Sequence, residues 1–244
     1  MVYEEKTAVQ RKIAQCAQKA LLYEVSVTPK PGLVDRADNG AHRDMDFFTF
    51  LDSAAVLTPY FEECAAAGLE ATECGGKEAD HAALLAKLRG PGKEAEREML
   101  RATGGVNTHK GAIFLLGLLT AAAGFCLGWR EEGFSEDMIL RTAGRIAEPA
   151  LGDFAVPEPV ERTAGTAESA GLRQYRESGC TGVRGEAAAG FPSVKHAALP
   201  ALKKALADGK NVNDAGVEVG LQMSYAMFWA ELDIIRDFNL LYRL

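Results

Sequence analysis

The nineteen residues from Gly111 to Trp129 carry no charge, and few structures can hold such a run. As a helix it is just long enough to cross a bilayer, or it must be enclosed on all sides by other helices. Four glycines (Gly111, Gly117, Gly124 and Gly128) interrupt it, no second run of the kind exists, and the densest polar motif of the chain sits at its N-terminal flank. These features fit a central core helix, so no membrane association is expected. Apolar positions recur at helical spacing elsewhere: Val9, Ile13, Ala17, Ala20 and Leu21 within residues 4–24, and Phe47, Phe50, Leu51, Ala54 and Leu57 in a helix expected from an Asp46 cap to about Ala67. Further helices are expected near residues 77–88, 93–101, 109–128, 135–148, 166–177, 194–208 and 212–235, with Ser135, Glu136 and Asp137 opening one of them. Gly90-Pro91-Gly92, Pro157-Glu158-Pro159 and Gly179 to Gly190 read as connectors, and only Glu24–Val27 is weakly strand-like. The predicted fold class is all-α: a single compact multi-helix domain over residues 1–244 with a buried central apolar helix.

Composition narrows the function. The chain is 48% hydrophobic and 25% charged, with a net charge of −7 and no long basic run, which argues against a nucleic-acid partner. An acidic protein that binds a polyanion must gather its cations locally. Five scattered cysteines with no Cys-x-x-Cys pair read as reduced thiols of a cytoplasmic protein. The N-terminus has no apolar run or cleavage signature, so no signal peptide is expected.

The polar flank of the apolar run reads Thr103-Gly-Gly-Val-Asn-Thr-His-Lys-Gly-Ala-Ile-Phe114. Glycines ahead of a helix N-terminus leave backbone N–H groups free for an anion, and Lys110, His109 and Asn107 add side chains that can bind one. The spacing is neither a Walker A loop nor a dinucleotide turn. A plain helix cap with a solvated lysine explains the same residues. A second block, Thr28 through Asp46, mixes Lys30 and Arg36 with Asp35, Asp44 and Asp46, a combination suited to phosphate and Mg²⁺. There Asp46 reads as an N-cap in preference to a metal ligand, and His42 reads also as a hydrogen-bonded loop histidine. A third block, Gly179 through Pro192, offers Arg184 as a planar phosphate fork and Glu186 as its ion-pair partner or as a general base. The last, Asp237-Phe-Asn-Leu-Leu-Tyr-Arg243, reads by itself as a polar tail.

Together these blocks resemble the triphosphoribosyl-dephospho-CoA synthase family. The resemblance runs in order from Glu24-Val25 through TPKPGLVDRADNGAHRDMD (28–46), LRGPGKEAEREML (88–100), TGGVNTHKGAIF (103–114) and TGVRGEAAAGFPSV (181–194) to the C-terminus. It implies an all-helical fold and a pentosyl transfer from ATP, as its Mg²⁺ complex, to 3′-dephospho-CoA, with release of adenine. The product is the prosthetic-group precursor of citrate lyase or malonate decarboxylase. In the family the motif resembling residues 237–243 has Thr in place of Phe238, continues with two glycines and is followed by further helix. The expectation is therefore a truncated member lacking its last core helix.

The implied transition state has oxocarbenium character at C1′ of ATP. On that basis Lys30, Arg36, Lys110 and Arg184 are assigned to phosphates, with the helix start at Asn107–Gly111 assisting. Asn39, His42, Asn107, Asp237, Asn239 and Arg243 complete the expected substrate contacts. His109 and Glu186 are the acid–base candidates, with His42 behind them. Asp35 is the candidate for stabilising C1′, and Asp44 and Asp46 for holding Mg²⁺. Glu96 reads as a surface salt-bridge residue, and His81 and His196 as structural. Two other readings use the same residues: a metal-dependent hydrolase of a nucleotide or ADP-ribosyl compound, and a non-catalytic ATP-binding homologue.

Overall fold

The computed structural model describes residues 3–76, 80–128, 135–154 and 181–223. The helix expected at 166–177, the part of 212–235 beyond residue 223, the Pro157-Glu158-Pro159 connector and the site residues Asp237, Asn239 and Arg243 lie outside them. Among the described residues the secondary structure is entirely helical. The helices are α1 (Tyr3–Ser26), α2 (Phe47–Val56), α3 (Thr58–Gly75), α4 (His81–Ala102), α5 (Lys110–Gly128) and α6 (Glu136–Ala147). A 3₁₀ turn (Glu148–Phe154), α7 (Gly182–Ala188), a π turn (Val194–Ala198) leading into α8 (Leu199–Ala207), and α9 (Val212–Met223) follow.

The uncharged run forms α5, which is long and apolar enough to span a membrane; 78% of its most apolar window is buried within the protein. It packs most extensively against α3, with α6 on another side and α1 and α4 completing the enclosure. Its glycines are explained by that packing. A Cβ on Gly124 would lie 2.2 Å from the carbonyl oxygen of Ala65, and one on Gly68 of α3 would lie 1.9 Å from that of Ala121. The two backbones touch, as only glycine allows. Gly117 makes room for Tyr60, whose hydroxyl donates to the carbonyl of Ile113 at 3.1 Å.

Three expectations change. The helix expected over residues 46–67 is two helices, because Pro59 supplies no N–H to the preceding turn and the chain breaks at Leu57. Gly90-Pro91-Gly92 is not a connector but the middle of α4. Leu84, Leu85 and Leu88 before the proline and Ala95 and Met99 after it are all buried, and their shared burial outweighs the bond the proline removes. The weak strand signal at Glu24–Val27 falls largely within the last turn of α1.

Candidate functional site

The N-terminus of α5 is the meeting point of the polar blocks. Asn107 Oδ1 accepts the backbone N–H of Lys110 at 3.2 Å, which makes Asn107 a cap of this helix. His109 and Lys110 then point to different surroundings. Lys110, exposed, pairs with Glu96 of α4 at 3.0 Å. His109 is buried, with 5% of its surface exposed.

The His109 ring is held on several sides. Its Nδ1 lies 2.6 Å from Ser53 Oγ of α2, and Thr108 Oγ1 donates to the same Ser53 oxygen at 2.7 Å. Phe50 meets the imidazole edge-on, with ring centres 5.0 Å apart. The backbone N–H of His109 donates to Met99 Sδ at 3.2 Å. Nε2 has no hydrogen-bond partner among the described residues. Burial, helped by the nearby positive charge of Lys30, pushes the imidazole down to about 3. At that value His109 is neutral at physiological pH.

Lys30 is anchored from α1. Its Nζ lies 2.5 Å from Glu24 Oε1, and each side chain is only 7% exposed. Burial raises the Glu24 carboxyl above its ordinary value, and the adjacent ammonium offsets only part of that. The loop carrying Lys30 is organised by Asp35. Its Oδ2 accepts from the Thr28 hydroxyl (2.7 Å) and the Lys30 N–H (2.9 Å), and its Oδ1 from the N–H groups of Ala37 (2.7 Å) and Asp38 (2.9 Å). Burial would raise this carboxyl, but those four hydrogen bonds together hold it below the ordinary range. Both oxygens of Asp35 are thus occupied in shaping the loop rather than open toward a reacting carbon. Gly32 and Gly40 close the same loop: both have positive φ, and a Cβ on Gly40 would lie 2.5 Å from the Gly32 carbonyl.

The remaining members of that block are spread out. Asn213 of α9 brackets Thr28, accepting its N–H at 3.0 Å and donating to its carbonyl at 2.9 Å. The exposed Arg36 reaches the same Asn213 oxygen at 3.4 Å. Asn39 is exposed, and its carbonyl accepts the N–H of His42. His42 lies 3.5 Å from Asp44 at the surface. Asp46 is the N-cap of α2 in a reciprocal arrangement with Thr49: Oδ1 accepts the Thr49 N–H at 2.8 Å, and the Asp46 N–H donates to the Thr49 hydroxyl. Those cap bonds hold the Asp46 carboxyl below its ordinary value. Among the described residues no group of three or more His, Cys, Asp or Glu could hold a metal.

Beside Lys110, a cleft of about 180 Å³ opens between α4, α5, the 3₁₀ turn and α7. Tyr60, Leu88, Ile113, Phe114 and Leu118 line its apolar floor, with Arg89, Lys93, Glu96, Asp153 and Arg184 around it. Arg89 grips Asp153 through two hydrogen bonds of 3.0 and 2.9 Å, and Arg184 lies 3.8 Å from the same carboxylate. Glu186 Oε1 accepts the Ser193 N–H at 2.8 Å and fixes the turn at Phe191, a buried residue with φ of 58°.

Reading the residues alone missed Glu24, Ser53, Thr108, Asn213, Arg89 and Asp153 as parts of this site. Arg89 and Thr108 stand inside the segments that carry the resemblance; Ser53 and Asn213 have no local signal.

Residues 10–225 match the ATP:dephospho-CoA triphosphoribosyl transferase family. A probable 2-(5''-triphosphoribosyl)-3'-dephosphocoenzyme-A synthase of Lactiplantibacillus plantarum is 45% identical over 192 residues, covering 79% of this chain and 64% of its own length. One from Vibrio cholerae is 42% identical over 205 residues, covering 84% and 62%. One from Streptococcus equi subsp. zooepidemicus is 37% identical over 236 residues, covering 95% and 76%. The chain thus spans a little under two thirds of the length of the first two. No solved structure matches.

Proposed function

Because the chain belongs to the ATP:dephospho-CoA triphosphoribosyl transferase family, we propose that it transfers the triphosphoribosyl group of ATP to the 2′-hydroxyl of 3′-dephospho-CoA and releases adenine. The bond between C1′ and the adenine nitrogen breaks, a bond from C1′ to the acceptor oxygen forms, and the hydroxyl proton leaves with the base. In this reading the product is the prosthetic-group precursor of citrate lyase or malonate decarboxylase. The magnesium ion is part of the substrate, bound to the triphosphate.

One observation carries the reading. Four segments distant in sequence meet around the start of α5: residues 28–46 supply Lys30, 88–100 supply Arg89, Lys93 and Glu96, 103–114 supply His109 and Lys110, and 181–194 supply Arg184. The reaction joins two phosphate-bearing nucleotides without cleaving a phosphate, so the cations have only to bind and orient. The apolar floor beside them suits a base or a pantetheine arm. Glu96 and Asp153 are the carboxylates of the cleft able to offset positive charge as it develops at C1′.

The test is chromatography of ATP and Mg²⁺ incubated with the protein, with and without dephospho-CoA. Adenine release that depends on the acceptor is the expected result. Release without it would identify a hydrolase, and ATP binding without release a non-catalytic homologue.

A further inference from the structure

We propose that Ser53 and Thr108 form a hydroxyl relay that fixes His109 as the tautomer carrying its proton on Nε2, making it a neutral hydrogen-bond donor to a phosphate oxygen of the bound substrate. This deepens the proposed function and rests on it for the identity of the ligand.

The direction of the relay is part of the proposal. The Thr108 hydroxyl lies 2.7 Å from Ser53 Oγ, and Ser53 Oγ lies 2.6 Å from His109 Nδ1. With the Thr108 proton directed at Ser53, Ser53 has its own proton for His109 Nδ1. A hydroxyl that donates to Nδ1 requires that nitrogen to be unprotonated, so the ring proton resides on Nε2. Ser53 is fully buried and has no water to compete for its proton.

Nε2–H is then a buried donor with no acceptor among the described residues. A donor left without an acceptor in a buried position destabilises the protein that holds it. An acceptor oxygen on the ligand relieves that cost. Lys30 lies close enough for its charge to act on the ring, so an ammonium and an N–H donor share one neighbourhood. That pairing favours an anionic oxygen over a neutral one. The same geometry makes Ser53 and Thr108 positioning residues: they touch His109, not the substrate.

The tautomer can be read on the free protein by two-bond ¹⁵N–¹H correlation of the imidazoles. Only four histidines are present, and His109→Gln assigns the resonance. The expected wild-type pattern is a protonated Nε2 and a bare Nδ1. In Ser53→Ala the pattern should shift toward a mixture of tautomers, and Thr108→Val should move it the same way, whereas Thr108→Ser should keep the wild-type pattern. Thr108→Val carries the test if Ser53→Ala fails to fold. Titration with inorganic triphosphate should move the wild-type Nε2 resonance, with affinity about tenfold weaker in the relay variants. A wild-type Nδ1–H tautomer, a pattern unchanged by Ser53→Ala or Thr108→Val, or an Nε2 resonance indifferent to triphosphate would overturn the proposal. The NMR readings need no turnover, so they stand apart from any failure of the transferase assay.

Discussion

Lys30 Nζ lies 2.5 Å from Glu24 Oε1 with both side chains 7% exposed, and Glu24 is nevertheless held above its ordinary carboxylate value by burial. The attraction of the ammonium does not fully offset the desolvation of the carboxylate. This is the usual balance for an ion pair taken out of water. The pair holds a positive charge whose field reaches His109, and in the proposed reaction an anionic substrate would meet it there.

Breaking one side of this pair should be costly and removing both sides cheap. Lys30→Met leaves a buried carboxylate alone and is expected to destabilise the fold by about 3–5 kcal/mol. Adding Glu24→Leu should recover most of that loss while abolishing nucleotide binding. Urea unfolding of both variants and the wild type checks the first statement, and calorimetry with ATP the second. Equal stabilities for the single and double variants would show the pair to be solvated.

Stability should respond to pH through His109. Its folded value of about 3 lies below the ordinary 6.5 of an unfolded histidine. The unfolded chain therefore binds the proton more readily, so the stabilisation is complete above pH 6.5 and falls as pH drops toward 3. The slope is about 1.4 kcal/mol per pH unit for a single group, so acidification from pH 7 to 5 should cost about 2 kcal/mol. Glu24, whose value is raised, acts in the opposite direction, because its protonated form is favoured in the folded state. Urea unfolding of His109→Gln beside the wild type at pH 7, 6 and 5 isolates the histidine: the variant should lack this slope.

Much of this architecture is legible locally. An uncharged run with glycines has to be enclosed, and α5 is enclosed. The Ser135 cap of α6 is also as expected, its hydroxyl accepting the Met138 N–H. Gly90-Pro91-Gly92 misleads because propensity describes the isolated chain, while Leu88 and Ala95 on either side of it are buried by the fold. Among the described residues the blocks that carry the family resemblance lie near one another, but the roles of their residues depend on partners far along the chain. Ser53 and His109 are 56 positions apart, and Thr28 and Asn213 are 185 apart. No spacing rule connects them. Asp46 was legible as a helix cap and is one; Asp35 was legible only as a carboxylate among cations, and that it would serve its loop depends on which backbone N–H groups turn toward it.

Close contact between α3 and α5 should make Gly68 intolerant of any side chain. The Cβ of Gly68→Ala would lie 1.9 Å from a backbone oxygen that cannot swing aside, and the helices would have to separate. A loss of about 3 kcal/mol or more, or failure to fold, is expected. Gly92→Ala is the control, because its Cβ would meet the Tyr60 hydroxyl at an ordinary 3.6 Å and should change stability by less than about 1 kcal/mol. Thermal unfolding of the two variants measures the contrast.

Lys110 beside the cleft and Arg184 within it should separate binding from folding. Lys110 is 50% exposed and its partner Glu96 34%, so their pair contributes at most about 1 kcal/mol to stability. Lys110→Ala should accordingly unfold near the wild-type midpoint. If Lys110 orients the triphosphate, the same variant should raise the apparent KM for ATP by about tenfold, the scale of one charge-assisted contact. Arg184→Ala tests the opposite wall of the cleft. Its side chain approaches Asp153, which Arg89 already grips with two bonds, so Asp153 stays paired when Arg184 is lost. The expected result is again weakened substrate binding with the fold intact. Measuring KM separately for ATP and for dephospho-CoA in each variant assigns each wall to a substrate: a KM raised for one substrate alone places that cation on its phosphates. Wild-type kinetics in both variants would remove the cleft from the site.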